Sequence, residues 1–326
     1  MLSRVANSIY WLGRYLERAE NYARFIDVNF NLMLDLPPGL KAQWEPLVLA
    51  TGDHAHYVKS HKDFDKRSVI FFMTLDRSNP NSILSAITYA RENGRIVREH
   101  LSKETWEKIN GLYHMLNNTS ERKIWGKKDP RSFFEDIKYQ IQLLYGLADT
   151  TVARTEGWYF RTLGMYLERA DKTSRILDVK YHMLLPSPQE VGSPLDFLHW
   201  NALLKSVSAF NTYRRLYGTI ESSGLLEFLV FNRRFPRSIY FCIKEAEDCL
   251  HMISDSQNYD FKNSAEKEIG ALRSKLAFSD IADIIKDGLH ESIDEIQQKI
   301  NVISSEIELS FFQIKQPSFT QNQSQS

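Results

Sequence analysis

Residues 12–28 read LGRYLERAENYARFIDV and return at 163–179 as LGMYLERADKTSRILDV, so the fold must seat two long helices with nearly the same surface. The echo extends past those helices. Trp44 and Leu47 answer Trp200 and Leu203. Phe72, Arg77, Pro80, Ser82, Ile83, Ile87 and Ala90 answer Phe228, Arg233, Pro236, Ser238, Ile239, Ile243 and Ala246. The offset drifts upward along the chain, as expected when insertions fall in loops while helices keep register. It reads as an internal duplication, and two copies are too few for a solenoid. The expectation is an all-α fold: a compact helical bundle of two pseudo-equivalent halves, 1–155 and 156–315 packed as one body, with a disordered tail at 316–326.

Apolar periodicity supports helices nearly throughout. Val5, Ile9, Leu12, Leu16, Ala19, Ala23, Ile26 and Phe30 stack on one face of a helix over 2–35, which Pro37-Pro38-Gly39 ends. Further helices are expected at 42–51, 63–75, 80–98, 102–118 and 131–153. The second half repeats the plan at 156–185, 195–217, 224–232, 236–256, 262–277 and 288–314, with a PSPQEVGSP loop at 186–194. Pro80 and Pro236 are placed at helix starts, where a missing N–H costs nothing. The terminal QPSFTQNQSQS has little to bury.

The chain of 326 residues carries 41 Lys+Arg against 41 Asp+Glu, so no net basic field calls for nucleic acid. No apolar run is long enough to span a bilayer, and the N-terminus lacks a signal-peptide pattern. Cys242 and Cys249 lack a metal-ligand spacing and read as buried thiols in a reducing compartment. A soluble cytoplasmic protein is expected, without membrane or cofactor.

The repeated helix carries a polar row opposite its apolar stripe. Tyr10, Glu17 and Arg24 fall within a narrow arc, flanked by Arg14 and Asn21, with Gly13 at its edge. The second copy reads Arg161, Glu168 and Arg175, with Gly164 at its edge and Met165 and Lys172 in place of Arg14 and Asn21; Glu17-Arg18 and Glu168-Arg169 are the shared pair. Ordinary intrahelical pairs, Glu20 with Arg24 and Asp171 with Arg175, account for part of the row. Two arrangements remain open for the rest. In one, the long helices meet so that Glu17 bonds a guanidinium of the second half and Glu168 one of the first. In the other, the row lines a polar cleft that holds a carboxylate or phosphate, or performs catalysis.

Other chemistry is thinly supported. Phosphate-loop, GxGxxG, GxSxG and HExxH patterns are missing. His54, His56 and His61 are irregularly spaced and read as a solvated polar loop rather than a metal site. Cys249 beside His251 lacks an orienting third group. Arg91, Arg95 and Arg98 form a stripe, with Glu92 and Asn93 alongside, that either is a salt-bridged surface, pairs with Glu17 or Glu20, completes an anion pocket with Arg14 and Arg24, or faces Glu245–Asp248.

MLSRVANSIYWLGRYLERAENYAR, together with NPNSI at 79–83, ARENGRIVRE at 90–99 and FPRSI at 235–239, resembles the bacterial alpha-E domain family over essentially the whole chain. The resemblance places Arg4, Asn7, Tyr10, Trp11, Gly13, Arg14, Glu17, Arg18, Glu20, Asn21 and Arg24 on the family's first motif. It places Arg91, Glu92, Asn93, Arg95 and Arg98 on the second. Ser8-Ile9 and Gly94 depart from the usual pattern. The resemblance implies association with a circularly permuted ATP-grasp protein, often with a transglutaminase-like peptidase and sometimes a proteasome-like peptidase. The function expected on that basis is an accessory or binding protein of an amide or peptide ligase system. The alternative is an enzyme, a transferase or ligase subunit using a Glu17/Arg24 cleft.

Overall fold

The computed structural model describes residues 1–35, 44–126, 129–182, 192–257 and 260–313. Among them are sixteen α-helices and no strand. The Pro37-Pro38-Gly39 breaker, most of the 186–194 loop and the proposed tail lie outside the described residues.

Two helices organise the rest. The first, α1 (Ser3–Asp35), has 33 residues and α9 (Glu156–His182) has 27, which at about 1.5 Å per residue makes them roughly 50 and 40 Å long. They lie side by side and run in the same direction, since contacts advance together along both: Met1 with Glu156, Arg18 with Glu168, Glu17 with Arg169. Close approach is set by two glycines. A Cβ on Gly13 would stand 2.1 Å from the Arg161 carbonyl oxygen, and one on Gly164 would stand 2.2 Å from that of Tyr10. Only a residue without a side chain fits either position.

The shorter helices wrap this pair. Helices α5 (Ile83–Ile96) and α8 (Arg131–Thr151) pack on α1, and α13 (Ile239–Ser254) and α16 (Leu289–Ile307) pack on α9. Two elements cross over: α2 (Glu45–Thr51) lies on α9, and α10 (Pro194–Ser206) lies on α1. Helices α6 (Lys103–Asn117) and α14 (Ser264–Phe278) complete the outer layer against α5 with α8, and against α13 with α16. Buried apolar positions recur at helical spacing in α8 (Phe134, Ile137, Ile141, Leu144, Ala148) and in α16 (Ile293, Ile296, Ile300, Ile303, Ile307).

Several boundaries differ from the sequence expectation for identifiable reasons. Helices α5 and α13 start three residues late because Ser82 and Ser238 cap them, accepting from the Ser85 and Phe241 amides. Pro80 and Pro236 sit in the turns before the caps, closed by Ser82 N–H to Asn79 and Ser238 N–H to Phe235. The helix expected over 195–217 is broken into α10 and α11 (Phe210–Tyr217) at Ser208, whose φ is +54°. The supposed polar loop around His54 holds a helix, α3 (His54–Ser60), where His61 stacks on Tyr57 at 4.5 Å and His54 on Phe64 at 5.5 Å. Aromatic packing half-buries His56 and His61, while His54 keeps 40% of its side chain exposed. Short helices α7 (Glu121–Trp125) and α15 (Ile281–Asp287) have too few residues to show a period. Lys66–Thr74 is α4 and Ser222–Phe231 is α12. The last helix ends in a π-helical turn, Glu308–Phe312.

Candidate functional site

The Glu-Arg pairs of α1 and α9 meet across the helix crossing. Glu17 and Glu168 are both fully buried. Arg169 grips Glu17 with two parallel bonds, Nε to Oε1 at 2.9 Å and Nη2 to Oε2 at 2.8 Å. Reciprocally, Arg18 grips Glu168 with Nε to Oε1 at 2.6 Å and Nη2 to Oε2 at 3.0 Å. Planar guanidinium matches planar carboxylate in each case.

Each pair has different neighbours. Glu17 Oε1 also accepts from Arg237 Nη1 at 2.9 Å and Asn21 Nδ2 at 3.0 Å, and Oε2 accepts from the Tyr145 hydroxyl at 2.8 Å. Arg237 reaches on to Glu20 Oε2 at 2.6 Å. Glu20 Oε1 accepts from Gln142 and Arg24, and Arg24 donates onward to Ser208. Glu168 Oε2 accepts from Arg14 Nε at 2.9 Å, with Lys172 Nζ 3.6 Å from Oε1. Arg18 donates to Asn81 at 2.7 Å, Asn81 to Asp53 at 2.7 Å, and Tyr22 donates to the other Asp53 oxygen. Asp171 takes Lys172 and Arg175. The intrahelical pairs Glu20–Arg24 and Asp171–Arg175 therefore form within a larger network.

Burial alone would push these carboxyls up, but the guanidinium and ammonium groups outweigh it. Glu17 is held below its ordinary range by Arg169 and Arg237. Glu168 is held well below it by Arg18, Lys172 and Arg14, and Glu20 is lowered by Arg237 and Arg24. The phenols of Tyr145 and Tyr22 move well above their usual value through burial and their carboxylate acceptors, Glu17 and Asp53. All of these groups keep one protonation state near neutral pH. With both oxygens of Glu17 and of Glu168 occupied inside the core, neither offers an open face to a ligand or a proton in transit.

Other sequence candidates lie apart from this network. Arg4 is exposed. Asn7 is half-buried, and its Oδ1 has no hydrogen-bond partner. Trp11 packs beside Tyr10 and Tyr15, with the Arg14 guanidinium 5.1 Å from its ring centre. Arg161 meets Asp149 at 3.3 Å rather than joining Glu168. Of its expected roles the Arg91–Arg98 stripe takes the salt-bridged surface, and it neither pairs with Glu17 or Glu20, nor completes an anion pocket with Arg14 and Arg24, nor faces Glu245–Asp248. Arg91 bonds Asn110 and Glu92 and covers Tyr113. Arg95 bonds Glu92, and Arg98 donates to the Leu101 carbonyl. Asn93 donates to the carbonyl of Tyr89. Glu245 and Asp248 are engaged by Lys244 of their own helix. Arg91 and Arg95 lie on α5 and Arg98 in the short 3-10 turn after it, and the partners they take come from that stretch and from α6.

Arg237, Tyr145, Asn81 and Gln142 belong to the network and were missed in the sequence. Asn81 and Arg237 had a signal, because both occupy the third position of the echoing NPNSI and FPRSI segments. Tyr145 and Gln142 had none: their role depends on how α8 seats against α1. Among the described residues no group could hold a metal ion. The free thiols Cys242 and Cys249 are buried and pushed up to about 12 by that burial, which leaves neither as a thiolate nucleophile.

Geometry and burial thus define an all-helical protein built on a reciprocal, buried carboxylate–guanidinium clamp. The chain belongs to the Alpha-E family, described as a predicted alpha-helical domain with a conserved ER motif, which it matches over residues 1–312. It is similar to uncharacterised proteins of Mycobacterium bovis (21% identical over 321 residues) and of Mycobacterium tuberculosis strain H37Rv (20% over 321 residues). In both comparisons 90% of this chain is covered but 34% of the relative, so the chain spans about a third of the length of the curated relatives it matches. No solved structure matches it.

Proposed function

We propose that the chain is a non-catalytic accessory or binding protein of an ATP-grasp-type amide or peptide ligase system, working in the cytoplasm, with the Glu-Arg helices as an internal clamp. The observation that carries the non-catalytic part is the complete internal pairing of Glu17 and Glu168. An enzyme built on Glu17 and Arg24 needs a carboxylate free to exchange a proton or touch substrate, and both Glu17 oxygens are already taken. The ligase context comes from the family resemblance, with a circularly permuted ATP-grasp protein as the principal partner and a transglutaminase-like or proteasome-like peptidase as further ones. Relatives in which a domain of this kind occupies about a third of a longer protein suit a module that works beside others.

Affinity capture of the tagged protein from its native host tests the reading. An ATP-grasp protein recovered in stoichiometric amount supports it. A folded bait that recovers none, or that consumes a substrate by itself, overturns it.

A further inference from the structure

A cleft lies beside the clamp, with Tyr145 in its lining. It opens between α1, the start of α6, the end of α8 and the first turns of α9, and has a volume of about 60 Å³. Ile9, Leu16, Leu144, Ala148 and Val152 give it an apolar floor, and Trp158 and Arg161 stand along one side. Its size suits about four water-sized groups, the bulk of one branched aliphatic side chain rather than a whole cofactor.

The matching space on the other side of the molecule is filled. There α16 lies on α9 as α8 lies on α1, with Ser304 bonded to Arg14 of the Glu168 cluster where Tyr145 bonds Glu17. Three and seven residues past these positions stand Ile307 and Phe311 in one case, and Ala148 and Val152, the extended residue that ends α8, in the other. Phe311 and Phe312 pack on Phe160 at 5.7 and 5.8 Å, and Phe312 on Tyr10 at 5.4 Å. Ala148 on α8 and Val152 at its extended C-terminal end therefore leave open a space that Ile307 of α16 and the phenylalanines of the following π turn close on the other side.

The open cleft also has unspent donors. The Nε1 of Trp158 is buried and has no hydrogen-bond partner. Arg161 is largely covered, and its bond to Asp149 is a single long one to a side chain that is more than half exposed. Arg154 adds a second guanidinium on the Trp158 ring, 4.9 Å from its centre. An apolar socket beside an under-neutralised cation and an orphan N–H is complementary to an aliphatic group that carries its own carboxylate.

We propose that this cleft binds the C-terminal residue of a peptide, with a branched aliphatic side chain on the Leu144–Ala148 floor and the terminal carboxylate on Arg161. Asp149 gives way to it at little cost because it is solvated. The assignment stands on the cleft itself and not on the ligase association.

Calorimetric titration of the full chain with N-acetyl-Gly-Gly-Leu tests it, alongside the same peptide as its C-terminal amide and free isovalerate. Saturable binding of the acid, at least tenfold weaker for the amide, is expected. Arg161→Gln should reduce binding of the acid to the level of the amide. Ala148→Leu or Val152→Phe, which fill the cleft as α16 and its π turn do, should abolish binding while leaving the thermal transition intact. Equal binding of acid and amide, or undiminished binding by a folded Val152→Phe variant, overturns the proposal. Isovalerate binding as tightly as the peptide overturns the peptide assignment in favour of a free short-chain acid.

Discussion

Glu17 is surrounded by more positive charge than it can neutralise alone, which makes its removal costly. Glu17→Gln leaves Arg169 and Arg237 facing a neutral amide in the core, and breaking a buried pair from one side typically costs about 3–5 kcal/mol. Urea unfolding of the variant should show a loss of that order. Replacing Glu17 and Arg169 together by Leu and Met should cost less than the sum of the singles, since the pair's desolvation is then avoided; additive losses would show the two groups act independently. The lowered carboxyls also set an acid limit. Folded Glu17, Glu20 and Glu168 bind protons less readily than their unfolded forms, whose ordinary value is 4.5. Their contribution to stability is fully present above that pH and is lost as pH falls through the lower folded values. Melting temperature should decline below about pH 4.5, more shallowly in a Glu17→Gln variant than in the wild type.

At the scale of the element, the closeness of α1 and α9 is the controlling feature. The arginines span the gap only because backbone meets backbone at Gly13 and Gly164. A methyl group at either site strikes a carbonyl oxygen, which has no rotamer to retreat into. Gly13→Ala and Gly164→Ala should each destabilise by about 3 kcal/mol, the upper end of ordinary overpacking, and loosen the clamp. Gly111→Ala and Gly146→Ala provide the contrast. Both sit in helices with nothing within 4 Å of the added carbon, so each should stabilise by about 0.5–1 kcal/mol through lost unfolded-state freedom. Chemical denaturation of the four variants separates close approach from glycine content. If all four behave alike, the helix crossing is not the reason for the glycines.

For the molecule as a whole, the clamp makes the segments 1–155 and 156–315 mutually dependent. Neither half supplies both partners of its own central pair, and α2 and α10 each lie on the other half's long helix. A fragment of residues 1–155 would expose the α1 face that carries Glu17 and the apolar positions beside it. Such a fragment should give no cooperative thermal transition alone and should recover one when mixed with 156–315. A sharp transition from either fragment by itself would show that the halves are separate folding units. The intact chain is expected to melt in one step by calorimetry.

The sequence by itself determined the helical content, the two long helices and the recurrence of the Glu17-Arg18 pair as Glu168-Arg169, because helical periodicity and a repeated surface are local properties written in residue order. Glu20–Arg24 and Asp171–Arg175 were legible for the same reason, each partner being one turn away. Only the tertiary structure decided between clamp and cleft, since that choice depends on the distance between α1 and α9, which Gly13 and Gly164 set through contacts with distant backbone. It also recruited Arg237, Tyr145 and Gln142, which lie far along the chain from the acids they bond, and kept the Arg91–Arg98 stripe away from them. Charge pattern identifies which groups can pair. Packing decides which of them are brought within reach.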